Sequence, residues 1–175
     1  IADHLNQKYN TGYGINNIIM TNGVAGGINI VLRALLNPGD EVIIFRPYYP
    51  AYKGFVENWQ GKIVEVNPKE DFQPDFEDLE HKITIRTKVV IVNSPHNPTG
   101  VIYTKETAAK ISEILKSKQK EYGHAICLLS DEPYRDLVYI EEELPWWPDF
   151  YRNTIVSYSF SKSLSLAGER IGYLT

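Results

Sequence analysis

Lys162 stands in a run of alternating hydroxyls, Ser157, Ser159, Ser161, Ser163 and Ser165, and no other charged side chain lies between Arg152 and Glu169. A lysine held away from water has its ammonium form disfavoured, so its pKa falls and the free amine becomes a nucleophile towards a carbonyl. The chemistry on offer is a Schiff base. A solvated loop lysine is the competing reading, and with eleven other lysines in the chain it stands ahead on this segment alone. The groups that accompany Lys162 decide between the two.

Arg170 follows eight residues later. Upstream, Ser130-Asp131-Glu132-Pro133-Tyr134 places a carboxylate and a phenol just behind an apolar run, and Asn97 sits in the loop Asn93 to Gly100, which two prolines and a glycine constrain. Asp131 also suits a plain turn cap, and Asn97 an Asn-Pro turn. Gly23-Val24-Ala25 opens a segment whose apolar residues Ile28, Val31, Leu32 and Leu35 recur at helical spacing. A helix start offers unpaired N–H groups and the positive end of the dipole, which suits a phosphate, though a glycine there can serve the turn alone. Tyr49, in Pro47-Tyr48-Tyr49-Pro50, offers a flat aromatic face or simply a packed ring.

The elements that must position these residues alternate between helical and extended patterns, which predicts a mostly parallel sheet covered by helices. Ile1 to Tyr9 reads as helical, with a strand at Ile18 to Met20 and the helix from Val24 stopped at Asn37-Pro38-Gly39-Asp40. A strand at Glu41 to Phe45 leads to Tyr49. Tyr52 to Trp59 then reads as helical, Lys62 to Val66 as extended, and Asp75 caps a short helix. Val89 to Val92 is a β-branched run suited to a strand buried on both faces, and it delivers Asn97. Thr104 caps a helix that Gly123 stops, Ala125 to Leu129 delivers Asp131, and Thr154 to Tyr158 delivers Lys162. The run Glu141-Glu142-Glu143 reads as a solvated loop, and Trp146-Trp147 as a hydrophobic cover over the sheet edge.

With 175 residues and 43% hydrophobic content the chain suits one domain with a substantial core. A net charge of −4 with scattered basic residues gives no footprint for nucleic acid. The single Cys127 excludes an intrachain disulfide, no metal-ligand spacing is present, and no apolar run reaches the ~20 residues of a membrane span. A reducing cytoplasm is the default location. Gly12-x-Gly14-x-x-Asn17 lacks the third glycine of a dinucleotide fingerprint and has no strand before it.

Taken together in order, Thr21-Asn22-Gly23, Asn37-Pro38-Gly39-Asp40, Pro47-Tyr48-Tyr49, Asn93 to Gly100, Ser130 to Tyr134 and Ser159-Phe160-Ser161-Lys162 with Arg170 resemble the class I and II aminotransferases, pyridoxal-phosphate enzymes of fold type I. The resemblance covers nearly the whole chain. It implies a three-layer α/β/α large domain spanning residues 1–175, with a mostly parallel sheet of the seven-stranded type, lacking the family's N-terminal segment and C-terminal small domain.

The resemblance implies pyridoxal 5'-phosphate as cofactor, held as an internal aldimine on Lys162. It assigns the phosphate to Gly23, Val24, Ala25, Ser159, Ser161 and Arg170, ring stacking to Tyr49, the pyridine nitrogen to Asp131, and the phenolic oxygen to Asn97 and Tyr134. Lys162, Asp131 and Tyr134 are the catalytic set, and no metal is needed. Many relatives carry Thr or Ser where this chain has Ala25, so one hydroxyl contact to phosphate is absent. The implied activity is ping-pong transfer of an amino group between an α-amino acid and a 2-oxo acid, by a homodimer in the cytoplasm. Carbon-sulfur β-lyases, aminocyclopropane-carboxylate synthases and a cofactor-binding domain of a transcription regulator share the same constellation.

Overall fold

A computed structural model describes residues 1–139, 141 and 143–175. Its elements, in chain order, are α1 (Ala2–Tyr9), β1 (Ile19–Asn22), α2 (Gly23–Leu35), β2 (Glu41–Phe45), α3 (Ala51–Glu57), β3 (Lys62–Val66), α4 (Phe76–Lys82), β4 (Thr87–Asn93), α5 (Lys105–Tyr122), β5 (Cys127–Asp131), α6 (Trp147–Phe150), β6 (Thr154–Ser159), α7 (Phe160–Ser163) and β7 (Ile171–Leu174). The strands form one seven-stranded sheet in the order β1-β7-β6-β5-β4-β2-β3. Strands β3, β2, β4, β5 and β6 pair in parallel, while β7 runs antiparallel to both β6 and β1. The carboxyl ends of β2, β4, β5 and β6 therefore share one edge, where open α/β sheets place their ligands.

Side-chain alternation along the central strands divides the core into two faces. Val42, Ile44, Val89, Ile91 and Leu129 pack against Ile28, Val31 and Leu32 of α2 and Tyr52 and Val56 of α3. Ile43, Phe45, Val90, Val92 and Leu128 pack on the other face against Leu79 of α4, Ile111 and Leu115 of α5 and Trp147 of α6. Each fully buried Val, Ile or Leu contributes about 1.5 to 3 kcal/mol relative to exposure, so the β-branched run Val89 to Val92 locks β4 into the middle of three layers.

The caps act as their residue types dictate. Asp75 accepts from the backbone of Glu77 and Asp78, Thr104 accepts from that of Thr107, and Gly123 ends α5 in the left-handed region. The tryptophans differ from expectation. Trp147 lies in the main core, and Trp146 stacks on Tyr9 of α1 with ring centroids 4.1 Å apart, so both sit over central strands, not over the sheet edge. Glu142, the middle of the acidic run, lies outside the described residues; beside it Glu143 pairs with Lys105 at 2.7 Å. Among the described residues no helix is long and apolar enough to cross a membrane, and no three metal-type ligands cluster.

Candidate active site

A cleft of about 400 Å³ opens at the carboxyl edge of the sheet, and its walls include Val24, Ala25, Tyr49, Asn97, Asp131, Tyr134, Ser159, Ser161, Lys162 and Arg170. These ten residues come from six segments spread over most of the chain. Gly23, which the resemblance assigns to the phosphate, is not among the lining residues, and its surroundings constrain it sterically. It opens α2 at φ +66°, and a Cβ there would meet Arg170 Nη2 at 2.5 Å. Only a residue without a side chain lets the guanidinium lie against the first turn of the helix. Arg170 itself adopts φ +53° and donates from Nη1 to the Ala167 carbonyl at 3.0 Å. Gly172 completes the fit, because a Cβ there would lie 2.6 Å from the Tyr158 carbonyl oxygen and 2.9 Å from the Gly23 carbonyl carbon.

Asp131 ends β5 and is buried, 5% exposed. Tyr52 of α3, also buried, donates its hydroxyl to Asp131 Oδ2. Asn93, the last residue of β4, donates to the Asp131 carbonyl at 2.8 Å and fixes the strand end. Asp131 Oδ1 has no hydrogen-bond partner among the described residues. Burial pushes the Asp131 carboxyl up to about 7; the Tyr52 hydrogen bond pulls it down, and the neighbouring Glu132 charge pushes it up. A buried carboxylate with one oxygen held and the other unmet is an acceptor awaiting a donor.

Asn93 also accepts from the backbone N–H of Asn97 at 2.7 Å, which turns the loop so that Asn97 Nδ2 reaches the Tyr134 hydroxyl at 3.3 Å. Burial raises the Tyr134 pKa, with the negative charge of Asp131 next, while the Asn97 hydrogen bond opposes them. Tyr134 thus stays a protonated phenol that can donate into the cleft. His96 is buried in the same loop, its Nδ1 paired with Thr99 Oγ1 at 2.9 Å, and burial lowers its pKa. It serves the loop.

Ser159 closes β6, buried at 2% exposure, and α7 begins immediately after it. Ser161 is half-buried. Lys162 lies on α7 with Nζ 5.8 Å from the centroid of the Tyr134 ring. Its side chain is exposed, in keeping with the solvated reading that this segment alone favours, so the case for a reactive amine rests on the groups that share the cleft with it. Alternating hydroxyls on a strand end and a single helical turn leave the long lysine stem free to reach into the open cleft.

Tyr52 and Asn93 were not legible as site residues. Tyr52 reads in sequence as the start of a helix, and the pairing with Asp131 spans 79 residues. Asn93 carried the faintest signal, a polar residue directly after the apolar run Val89 to Val92.

Strand ends, a helix terminus and a half-satisfied buried carboxylate meeting at the carboxyl edge define an α/β domain with an enzyme-type cleft. The chain belongs to the family described as aminotransferase class I and II, which matches residues 1–175. It is 39% identical to an aspartate aminotransferase of Sulfolobus acidocaldarius, over 99% of this chain and 44% of that protein. A crystal structure of an aminotransferase from Eubacterium rectale superposes with a TM-score of 0.97 at 46% identity, covering 99% of this chain and 44% of that one. An alanine aminotransferase from Pyrococcus furiosus superposes with a TM-score of 0.89 at 34% identity, over 99% and 43%. The chain thus spans less than half the length of these relatives.

Proposed function

We propose that residues 1–175 are the cofactor-holding large domain of a pyridoxal-phosphate-dependent aminotransferase, which moves an amino group between an α-amino acid and a 2-oxo acid in a two-stage, ping-pong cycle. The observation that carries this reading is Asp131: Oδ2 is taken by Tyr52 and the buried Oδ1 is unmet at the wall of the cleft. That is the acceptor a protonated pyridine nitrogen requires. The other end also fits, since the missing side chain at Gly23 lets the Arg170 guanidinium lie against the first turn of α2, a cation beside a helix N-terminus.

Pyridoxal phosphate supplies an electron sink for the pair released at a substrate's α-carbon. The protein's share is binding and polarisation. The backbone N–H groups of Val24 and Ala25, the hydroxyls of Ser159 and Ser161, and Arg170 would hold the phosphate through charge-assisted hydrogen bonds worth ~1.5 to 3 kcal/mol each. Tyr49 would lie against the ring face. Asp131 would keep the ring nitrogen protonated, and Asn97 with Tyr134 would donate to the phenolic oxygen. Lys162 would anchor the cofactor covalently and, once displaced by the substrate amine, carry the proton from the substrate α-carbon. Relatives named for aspartate and for alanine support α-amino acids as the substrate class.

Borohydride reduction after adding pyridoxal phosphate, followed by peptide mapping, tests the anchor. The label is expected on Lys162, and a label on any other lysine would overturn the assignment. Arg170→Ala is expected to weaken cofactor binding by one to two orders of magnitude, roughly the loss of one charge-assisted contact, and an unchanged affinity in titration would remove Arg170 from the phosphate site.

A further inference from the structure

We infer that Tyr158, Asp136 and Ser163 form a hydrogen-bonded strut, behind the cleft, that sets the position of Lys162 against Tyr134. The inference rests on the functional reading of Lys162 and adds three positioning residues to it. Tyr158 lies on β6 between Ser157 and Ser159, so alternation turns its ring to the opposite side of the sheet from theirs. There it packs among Leu5, Trp146 and Tyr173, with its ring 5.2 Å from that of Tyr173 and 5.4 Å from that of Phe160. Its hydroxyl meets two groups at once: Asp136 Oδ2 at 2.5 Å and Ser163 Oγ at 2.7 Å.

These contacts join two segments of the proposed site. Asp136 is two residues beyond Tyr134 in the turn that follows β5, and Ser163 is the residue after Lys162. Lys8 of α1 holds the other oxygen of Asp136 at 2.9 Å, which ties the strut back to the body of the domain.

The proton inventory gives the strut a direction. Burial works against ionising Asp136, but the hydrogen bonds from Tyr158 and Lys8 outweigh it and hold its carboxyl below the ordinary range. Asp136 is therefore an acceptor only. Tyr158 has one proton, kept on the oxygen because burial and the Asp136 hydrogen bond push its pKa up to about 12. Tyr158 spends that proton on Asp136, so Ser163 must donate to the Tyr158 oxygen. The order Ser163 to Tyr158 to Asp136, with Lys8 at the far end, leaves no group free to turn round.

The helical turn needs such a tether. α7 has four residues, and the backbone hydrogen bonds that close it are long, 3.3 Å from Leu164 N to Phe160 O and 3.3 Å from Ser165 N to Lys162 O. Among the described residues, Ser163 makes the side-chain hydrogen bond that links α7 to the rest of the chain. A turn this short does not hold its own register, and small misplacements of a reacting group cost large factors in rate.

The test uses the protein loaded with, and separately stripped of, pyridoxal phosphate. Tyr158→Phe keeps the ring and removes both hydrogen bonds; Ser163→Ala removes one at a half-buried position, and Ser163→Thr keeps the hydroxyl. Both deletions are expected to slow capture of pyridoxal phosphate at Lys162 in the stripped protein, read as borohydride-fixed label over time, and to lower kcat on the order of tenfold. KM and cofactor affinity should stay within about twofold, because the phosphate and ring contacts are untouched. Tyr158→Phe combined with Ser163→Ala should be no slower than Tyr158→Phe alone, since both cut the same link, and Ser163→Thr should match the parent. Wild-type capture rates in either deletion variant, or losses that add in the double variant, would overturn the strut. A label on a lysine other than Lys162 in the unaltered protein would instead overturn the functional reading beneath it.

Discussion

Asp131 and Tyr52 form a buried hydrogen-bonded pair at the wall of the cleft. An aspartate in the unfolded chain titrates near 3.9, whereas in the fold burial pushes Asp131 up to about 7. Between those values the folded protein holds a proton that the unfolded chain has released, so stability falls as pH rises from about 4 to about 7 and stays low above that. Asp131→Asn is therefore expected to flatten this dependence in the cofactor-free protein and to melt above the parent at pH 8, while losing most exchange of the substrate α-proton. Tyr52→Phe removes the hydrogen bond that opposes burial, so the falling limb should extend to higher pH. Melting temperatures across pH 4 to 8 check both, and a parent whose stability rises over that range would contradict the account. A side chain that selects one oxygen of a carboxylate is a residue-scale device, visible only when the partners, 79 positions apart, are seen together.

Among the elements, the junction of α2 with β7 carries the most constraint. Gly23→Ala would set a Cβ against Arg170 Nη2 and impose φ +66° on a residue with a side chain, which costs about 1 to 2 kcal/mol for the backbone alone. The guanidinium can swing away, so the expected result is a modest loss of melting temperature with a larger loss of cofactor affinity. Gly172→Ala meets backbone, the Tyr158 carbonyl and Gly23, and no rotamer change relieves it. That variant should fold poorly even with cofactor present; thermal unfolding with and without pyridoxal phosphate separates the two, and equal effects would refute the distinction. Much of this architecture was legible beforehand. The β-branched run of β4, the caps Asp75 and Thr104 and the stop Gly123 announce their elements through local chemistry, and candidate residues at strand ends follow from them. What was not legible depended on contacts across the fold. Trp146 and Trp147 read as a cover because sequence does not show that α1 and α5 stand over the central strands. The setting of Lys162 stayed open between solvated and shielded, because a serine-rich run says nothing of how open the cleft is.

At the scale of the whole molecule the cleft is open: Tyr49 is 43% exposed and Lys162 is exposed as well. Positioning of substrate and exclusion of water supply much of an enzyme's rate advantage, and a proton moved at a carbon atom needs both. We therefore expect the 175-residue chain by itself to take up pyridoxal phosphate at Lys162 yet to transfer amino groups at least ~100-fold more slowly than an assembly in which further polypeptide covers the site. The assembly proposed is a homodimer, each cleft closed in part by its neighbour. Two proteins test this: residues 1–175 alone, and a chimera in which they replace the matching segment of the Sulfolobus acidocaldarius aspartate aminotransferase, 39% identical over that stretch. The isolated chain should accept the borohydride label on Lys162 and turn over poorly, while the chimera should sediment as a dimer and cycle through amino acid and 2-oxo acid pairs. An isolated chain as fast as the chimera, or an active monomeric chimera, would show that the residues described here already close the site unaided. Cofactor capture and turnover are separated in this comparison because, on the proposed reading, capture depends on Gly23, Asp131, Lys162 and Arg170, all present in both proteins, whereas turnover depends on what lies over them.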